Sequence, residues 1–237
     1  MNIIESDIAF CSVGFGQRYV PMLDRLSESL TKIHPTSKKY IYRDALPPNS
    51  RQHEDSMYGF KVHAIQAAID DGYKKVIWLD AACYLVNDIR NIFQYCEKYG
   101  ALAVQDASLL SRHALDESLS HFGLTRSEAC SLNLYFAGGS FYAFDFDNPW
   151  SRDIFDSWKE AEAMGLFGKA NDGNPIQNSN YTHGPSCFGC QFQTHRHDEV
   201  CFALSLYKHG STWCLSHECG YCCEDESKRI IVKGHFK

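Results

Sequence analysis

The chain has 237 residues, 23 Lys+Arg against 29 Asp+Glu and a net charge of −6; 44% of it is hydrophobic, 14% aromatic and 22% charged. That is the balance of one domain with a sizeable core, and it excludes a fibre, a disordered tail and a histone-like basic binder. No apolar run reaches the roughly 18–20 residues of a membrane span, and MNIIESDIAF has no basic segment leading into an apolar stretch, so no membrane association and a cytoplasmic location are expected.

Residues 8–15, IAFCSVGF, predict a strand ending at Gly14 and Gly16, and YVPMLDRLSESLTKI (19–33) predicts a helix after it. KYIYRDAL (39–46) reads as a second strand, SMYGFKVHAIQAAIDDG (56–72) as a helix stopped by Gly72, and KKVIWLDA (74–81) as a strand with an acidic end. Strands alternating with helices predict an α/β fold with a mostly parallel central sheet flanked by helices. NDIRNIFQYCEKYG (87–100) is a short helix, ALAVQD (101–106) a strand, and DESLSHFGLTRSEACSL (116–132) one or two helices. LYFAGGSFYAFDF (134–146) predicts a strand interrupted by its glycine pair, and PWSRDIFDSWKEAEAMGLF (149–167) a helix. Residues 168–194 are rich in Asn, Gly and Pro and form a long loop of the kind that usually carries function. HRHDEVCFALSLYKHG (195–210) is a helix closed by Gly210, and the tail, 211–237, holds one strand, RIIVKG (229–234).

Eleven cysteines is an odd number, so a disulfide framework cannot use them all. Cys11, Cys83, Cys96, Cys130 and Cys201 stand singly among apolar neighbours and read as small buried hydrophobes. Cys187-x-x-Cys190 and Cys219-x-x-Cys222 are two knuckle-type pairs 28 residues apart, with the ligand chemistry to hold one structural Zn²⁺ that ties the loop to the tail. His183, Cys214, His217 and Cys223 compete as ligands, and the rival reading is a set of reduced or disulfide-linked cysteines.

Asp80 stands at the carboxyl end of an apolar strand, where open α/β sheets bind ligands; its plain alternative is an N-cap for the next turn. Gly14-Phe15-Gly16-Gln17-Arg18-Tyr19 lets backbone approach a ligand and offers Arg18 to a phosphate, or is an ordinary strand-to-helix turn. It is neither G-x-G-x-x-G nor a Walker loop, and the chain has no G-x-S-x-G or H-E-x-x-H. His195-Arg196-His197-Asp198-Glu199 is a dense charged cluster at a helix start, where Asp198 would remain ionised; the alternative is a capping segment with surface charges.

Three stretches together resemble GT-A-type glycosyltransferases over roughly residues 6–210. Residues 58–93 are similar to the Lys-bearing helix, the strand ending in W/Y-L-D-x-D and the short D-I-x-x-I-F helix of that family. Residues 134–158 resemble its F-N-A/S-G strand, and 195–210 its D-Q helix start. The similarity is greatest to a branch found in phages, large viruses and bacteria, with a degenerate D-x-D and an H-R-H-D element. The resemblance implies a single GT-A-like domain over 1–237, with 168–194 on the acceptor side and a cytoplasmic location in a bacterium or a virus-infected host. It implies a hexosyl- or pentosyl-transferase moving sugar from a nucleotide-sugar donor to an acceptor hydroxyl on a glycan, a protein or a modified DNA base. By that resemblance Gly14, Gly16, Arg18, Tyr19, Lys61, Asp80, Ala81, Ala82, Gly138, Gly139 and Arg196 hold the donor. Asp198, facing the anomeric centre, His197 and Asp80 form the catalytic set.

Asp80-Ala81-Ala82 lacks the family's second acid. Either Mn²⁺ or Mg²⁺ is held by Asp80 with His235, or Arg18, Lys61, Arg196 and His197 neutralise the phosphates, which predicts weak or no metal dependence; the third outcome is absent catalysis. The rival functions are accordingly a non-catalytic nucleotide- or glycan-binding module and a zinc-stabilised nucleic-acid-binding protein. The net charge of −6 weighs against the latter.

Overall fold

The structure, a computed structural model, describes residues 3–168, 195–215, 218–222, 224 and 226–234. Its centre is a five-stranded sheet in the order β2-β1-β3-β6-β5. Strand β1 (Ile8–Gly14) lies between β2 (Lys38–Arg43) and β3 (Lys75–Leu79) and is parallel to both. Strand β6 (Tyr135–Asp145) runs antiparallel to β3 and to β5 (Ala101–Leu109), so four of the strands share one direction. β1 and β3 read as unbroken apolar runs because both their faces are covered, and all their residues are buried.

Alternation along the strands divides the interior in two. Ala9, Cys11, Val76, Trp78 and Tyr142 face α2 (Phe60–Asp70), α6 (Pro149–Ala163) and α7 (His197–Lys208). Ile8, Phe10, Ile77, Leu79 and Phe141 face α1 (Gly16–Ile33) and α3 (Phe93–Tyr99). Between residues 116 and 132 the structure has two helices, α4 (Asp116–His121) and α5 (Arg126–Ser131), divided at Gly123 with its φ of +75°. A capping box between Thr125 and Glu128 opens the second. Among the described residues no helix is long and apolar enough to cross a membrane.

Several boundaries differ from expectation for physical reasons. Helix α2 starts at Phe60 rather than near Ser56, because Tyr58 adopts a φ of +61° that no helix tolerates. The glycine pair does not interrupt β6. Instead the register with β5 jumps, Ala103 facing Tyr142 while Val104 faces Gly138, so residues 139–141 bulge away from β5. A second, two-stranded sheet joins β4 (Cys83–Leu85) to β7 (Ile231–Lys233), and β4 is too short for periodicity to reveal.

Cys11, Cys83, Cys96 and Cys201 are buried as expected. Cys130 corrects the reading: it is half-buried and disulfide-bonded, because α5 turns Ala129 inward and leaves its neighbour at the surface. Its partner is none of the seven other described cysteines, which carry thiols.

Candidate functional site

The carboxyl ends of β1, β2 and β3, the start of β6 and the first turn of α7 converge at one end of the large sheet. Here the β1–α1 turn is tight. A Cβ on Gly14 would stand 3.2 Å from the Tyr19 carbonyl and 3.3 Å from Leu23 Cβ. Gly16 has a φ of +68°, and its N–H donates to Asp44 Oδ1 at 2.6 Å, while the Asp44 N–H donates to the Gly14 carbonyl at 3.0 Å. Asp44, just past β2, thus ties that strand to the turn. Arg18 and Tyr19 are exposed on the first turn of α1, with the guanidinium 5.4 Å from the tyrosine ring centroid.

Lys61, on the first turn of α2, is buried at the centre of the site. Its ammonium donates to the Gly139 carbonyl and to Asp198 Oδ2, both at 2.8 Å, and lies 3.8 Å from Asp80 Oδ1. The rings of Tyr58, Trp78 and Tyr142 surround it at 5.1, 5.6 and 5.5 Å from their centroids, a cation–π cage. Asp80 follows β3; its N–H donates to the Ser140 carbonyl at 2.9 Å, and its Oδ1 accepts the Trp78 indole N–H at 3.0 Å. Its side chain is 33% exposed, against 2% for Asp198. Asp198 also accepts the Tyr142 hydroxyl at 3.2 Å, and its backbone carbonyl accepts the Trp158 indole N–H at 3.0 Å.

The glycine pair serves this arrangement directly. Gly139 donates its N–H to Glu199 Oε1 at 2.9 Å, and a Cβ there would meet Glu199 Cγ and Lys61 Nζ, each at 2.8 Å. Arg196 Nε donates to the other Glu199 oxygen at 2.9 Å, so this guanidinium is already matched by a carboxylate. His197, at a φ of +46°, places Nδ1 2.6 Å from the Phe167 carbonyl; buried His195 places its two ring nitrogens 3.2 and 2.9 Å from the carbonyls of His113 and Leu166.

Burial raises the Asp198 carboxyl to about 7, against the opposing pull of the Lys61 ammonium. Loss of water thus works against the helix N-terminus that the sequence offers as the reason for an ionised Asp198. Burial pulls the Lys61 pKa down, but Asp198, Asp80 and Glu199 together outweigh it and hold the ammonium above the ordinary lysine range. Lys61 therefore carries its charge throughout the physiological range.

The divalent cation that the family resemblance implies does not fit these side chains. The position of the second acid is Ala82, buried with Ala81, and its carbonyl accepts from Arg25 Nη2 and from the Gly234 N–H, each at 3.0 Å. Asp80 faces a fixed ammonium, and no three His, Cys, Asp or Glu side chains among the described residues are grouped to ligate a metal. His235 lies outside the described residues, as do Cys187 and Cys190 of the expected zinc site. Of the other zinc pair, Cys219 is buried and hydrogen-bonded with Cys214, while exposed Cys222 accepts the Lys233 N–H at 3.2 Å.

No family model and no curated protein matches the sequence. Among solved structures, the apo bifunctional glycosyltransferase WbbM aligns at 9% identity with a TM-score of 0.51, over 100% of this chain and 47% of WbbM. The chain spans about half the length of WbbM. A glycosyltransferase involved in glycosylating the major capsid of PBCV-1 aligns at 10% identity and a TM-score of 0.45, over 95% of this chain and 91% of that one. The fold is GT-A-like.

Within this fold, Asp80, Lys61, Gly139, Arg196 and Asp198 come together, with Gly138 adjoining, whereas Gly14, Gly16, Arg18 and Tyr19 lie on the β1–α1 turn, whose Phe15 ring meets Phe60 of α2. Sequence reasoning missed Asp44, Tyr142 and Ser140. Asp44 was visible only as an acid ending a strand, and the other two look like ordinary strand residues.

Proposed function

We propose that the protein is a glycosyltransferase that moves a hexosyl or pentosyl group from a nucleotide-sugar donor to an acceptor hydroxyl without a divalent cation. The observation that carries this reading is the Lys61 ammonium held between Asp198, Asp80 and the Gly139 carbonyl at the carboxyl end of β3. A buried ion pair is poor value as a stabiliser, because desolvation offsets the attraction. Its position at the carboxyl ends of parallel strands is where α/β sheets hold ligands.

In this reading the acceptor oxygen displaces the nucleotide diphosphate at the anomeric carbon. The bonding pair leaves on the diphosphate, and the acceptor proton passes to a departing phosphate oxygen. The turn of Gly14–Tyr19 walls the nucleotide, and Gly138 and Gly139 let the sugar lie close to backbone. Exposed Asp80 meets the donor, oriented by Trp78 and Lys61. Asp198 is a positioning residue, since its Oδ2 is committed to Lys61 and Tyr142. Catalysis then rests on orientation and prearranged charge.

The replacement of the second acid by Ala82 favours one alternative, a module that binds the donor and does not turn it over. A thermal-shift screen of UDP-, GDP-, ADP-, CMP- and dTDP-sugars in EDTA tests both. A ligand at a hundred times its Kd adds about 2.7 kcal/mol to stability, and one donor class is expected to raise Tm by about 5–10 °C. Asp80→Asn is expected to lose that rise with its own Tm unchanged. Absence of any shift overturns the donor site; a shift with no sugar transferred to any hydroxyl acceptor favours the binding module.

A further inference from the structure

The turn after Asp80 is crossed by a strand from far along the chain. Strand β7 runs antiparallel to β4 with Lys233 opposite Cys83, and the Gly234 N–H donates to the Ala82 carbonyl at 3.0 Å. Arg25 pins the crossing by donating to the carbonyls of both Ala82 and Gly234. Position 82 therefore lies beneath the tail strand, and the Lys233 ammonium reaches back over it to donate to Ser140 Oγ. The Ser140 carbonyl in turn accepts the Asp80 N–H.

Among the described residues two cations proposed for the site pair with no carboxylate, Arg18 on the β1–α1 turn and Lys233 against Ser140. Lys61 is engaged by Asp198 and Gly139, Arg196 by Glu199, and Arg25 by backbone carbonyls. Lys233 is exposed, and among the described residues its ammonium has a neutral hydroxyl as partner and forms no ion pair with a carboxylate. A nucleotide diphosphate arriving at Asp80 meets a group of acids already facing Lys61 and Arg196. It needs a further positive charge, and more so as its leaving oxygen gains charge.

We propose that Lys233 is the diphosphate ligand of the donor site, its ammonium exchanging the Ser140 hydroxyl for a phosphate oxygen and taking the electrostatic place of the missing acid and cation. This rests on the glycosyltransferase reading and adds to it a named residue from the tail strand. The chemistry is a charge-assisted hydrogen bond from an ammonium to a phosphate, which is stronger than the neutral contact it replaces.

The test is titration calorimetry in EDTA on the full chain, with UDP, GDP, ADP and inorganic pyrophosphate as probes. Wild type is expected to bind pyrophosphate and at least one of the nucleotides. Lys233→Gln is expected to weaken both by about tenfold or more, and Lys233→Arg to stay within about threefold of wild type. Lys233 is exposed, and an unchanged Tm in Lys233→Gln confirms that folding is intact. Equal affinities in wild type and Lys233→Gln overturn the role of Lys233 and leave the donor site standing. Binding that appears only with Mn²⁺, to the same degree in both proteins, also overturns it. No binding of any probe to wild type, with or without Mn²⁺, overturns both readings together.

Discussion

Asp198 joins the charge of the site to pH, because its carboxyl titrates near 7 while its neighbour Lys61 does not titrate there. Ionised Asp198 fixes the ammonium that orients Asp80 and Gly139, so transfer is expected to rise with pH to a plateau above about 7. Asp198→Asn should flatten that limb. Stability runs the other way: the native carboxyl holds its proton up to about 7, whereas an unfolded aspartate releases it near 4. The contribution is full below the lower value and lost as pH rises through the upper one. Denaturation of wild type and Asp198→Asn between pH 4 and 8 checks this, and parallel stability curves would contradict it. Asp198→Ala, which strands a buried ammonium, is expected to cost about 3–5 kcal/mol. Asp80 and Asp198 drew notice in the sequence as a strand end and a charged helix start, whereas Lys61 was named only through the glycosyltransferase resemblance. That Lys61 spends its charge on Asp198, rather than on phosphate, depends on packing across 137 residues of chain and has no local signature.

At the scale of elements, the segment before α2 is fastened to α6 by Glu162. This buried carboxylate accepts from Ser56 Oγ at 2.8 Å and from Arg51 Nη2 at 2.7 Å. Burial pushes its pKa up, but hydrogen bonds from His63, Ser56 and Arg51 prevail and bring it down to about 2. Its contribution is present above the ordinary glutamate value and is lost as pH falls toward 2. Glu162→Gln should therefore lose less stability than wild type over that acid range in a denaturant titration. Glu162→Ala should cost about 1–3 kcal/mol at neutral pH by leaving buried donors unmatched. The elements themselves were largely legible, because β1 and β3 are continuous apolar runs and the helices end at glycines such as Gly72 and Gly210. β4 was not: three residues carry no period. The continuity of β6 was hidden because a glycine pair marks a change of partner as readily as a break.

Across the whole molecule, two cores on opposite faces of one sheet hold apart the elements that meet at the site. Ile231, fully buried in the second core, anchors β7. Ile231→Ala is expected to cost about 2–5 kcal/mol and also to weaken pyrophosphate binding, since the strand it loosens presents Lys233; calorimetry and denaturant unfolding on the same variant separate the two effects. The pairing of Cys83 with Lys233 also sets an order of assembly. A ribosome delivers residues 231–234 after every other described part of the site, and the five-stranded sheet is complete at residue 145, well before them. The nascent chain thus owns a sheet before it owns the strand that crosses the turn after Asp80. Strand β7 comes after the large sheet is made, and a message cut short before these codons specifies that sheet without Lys233.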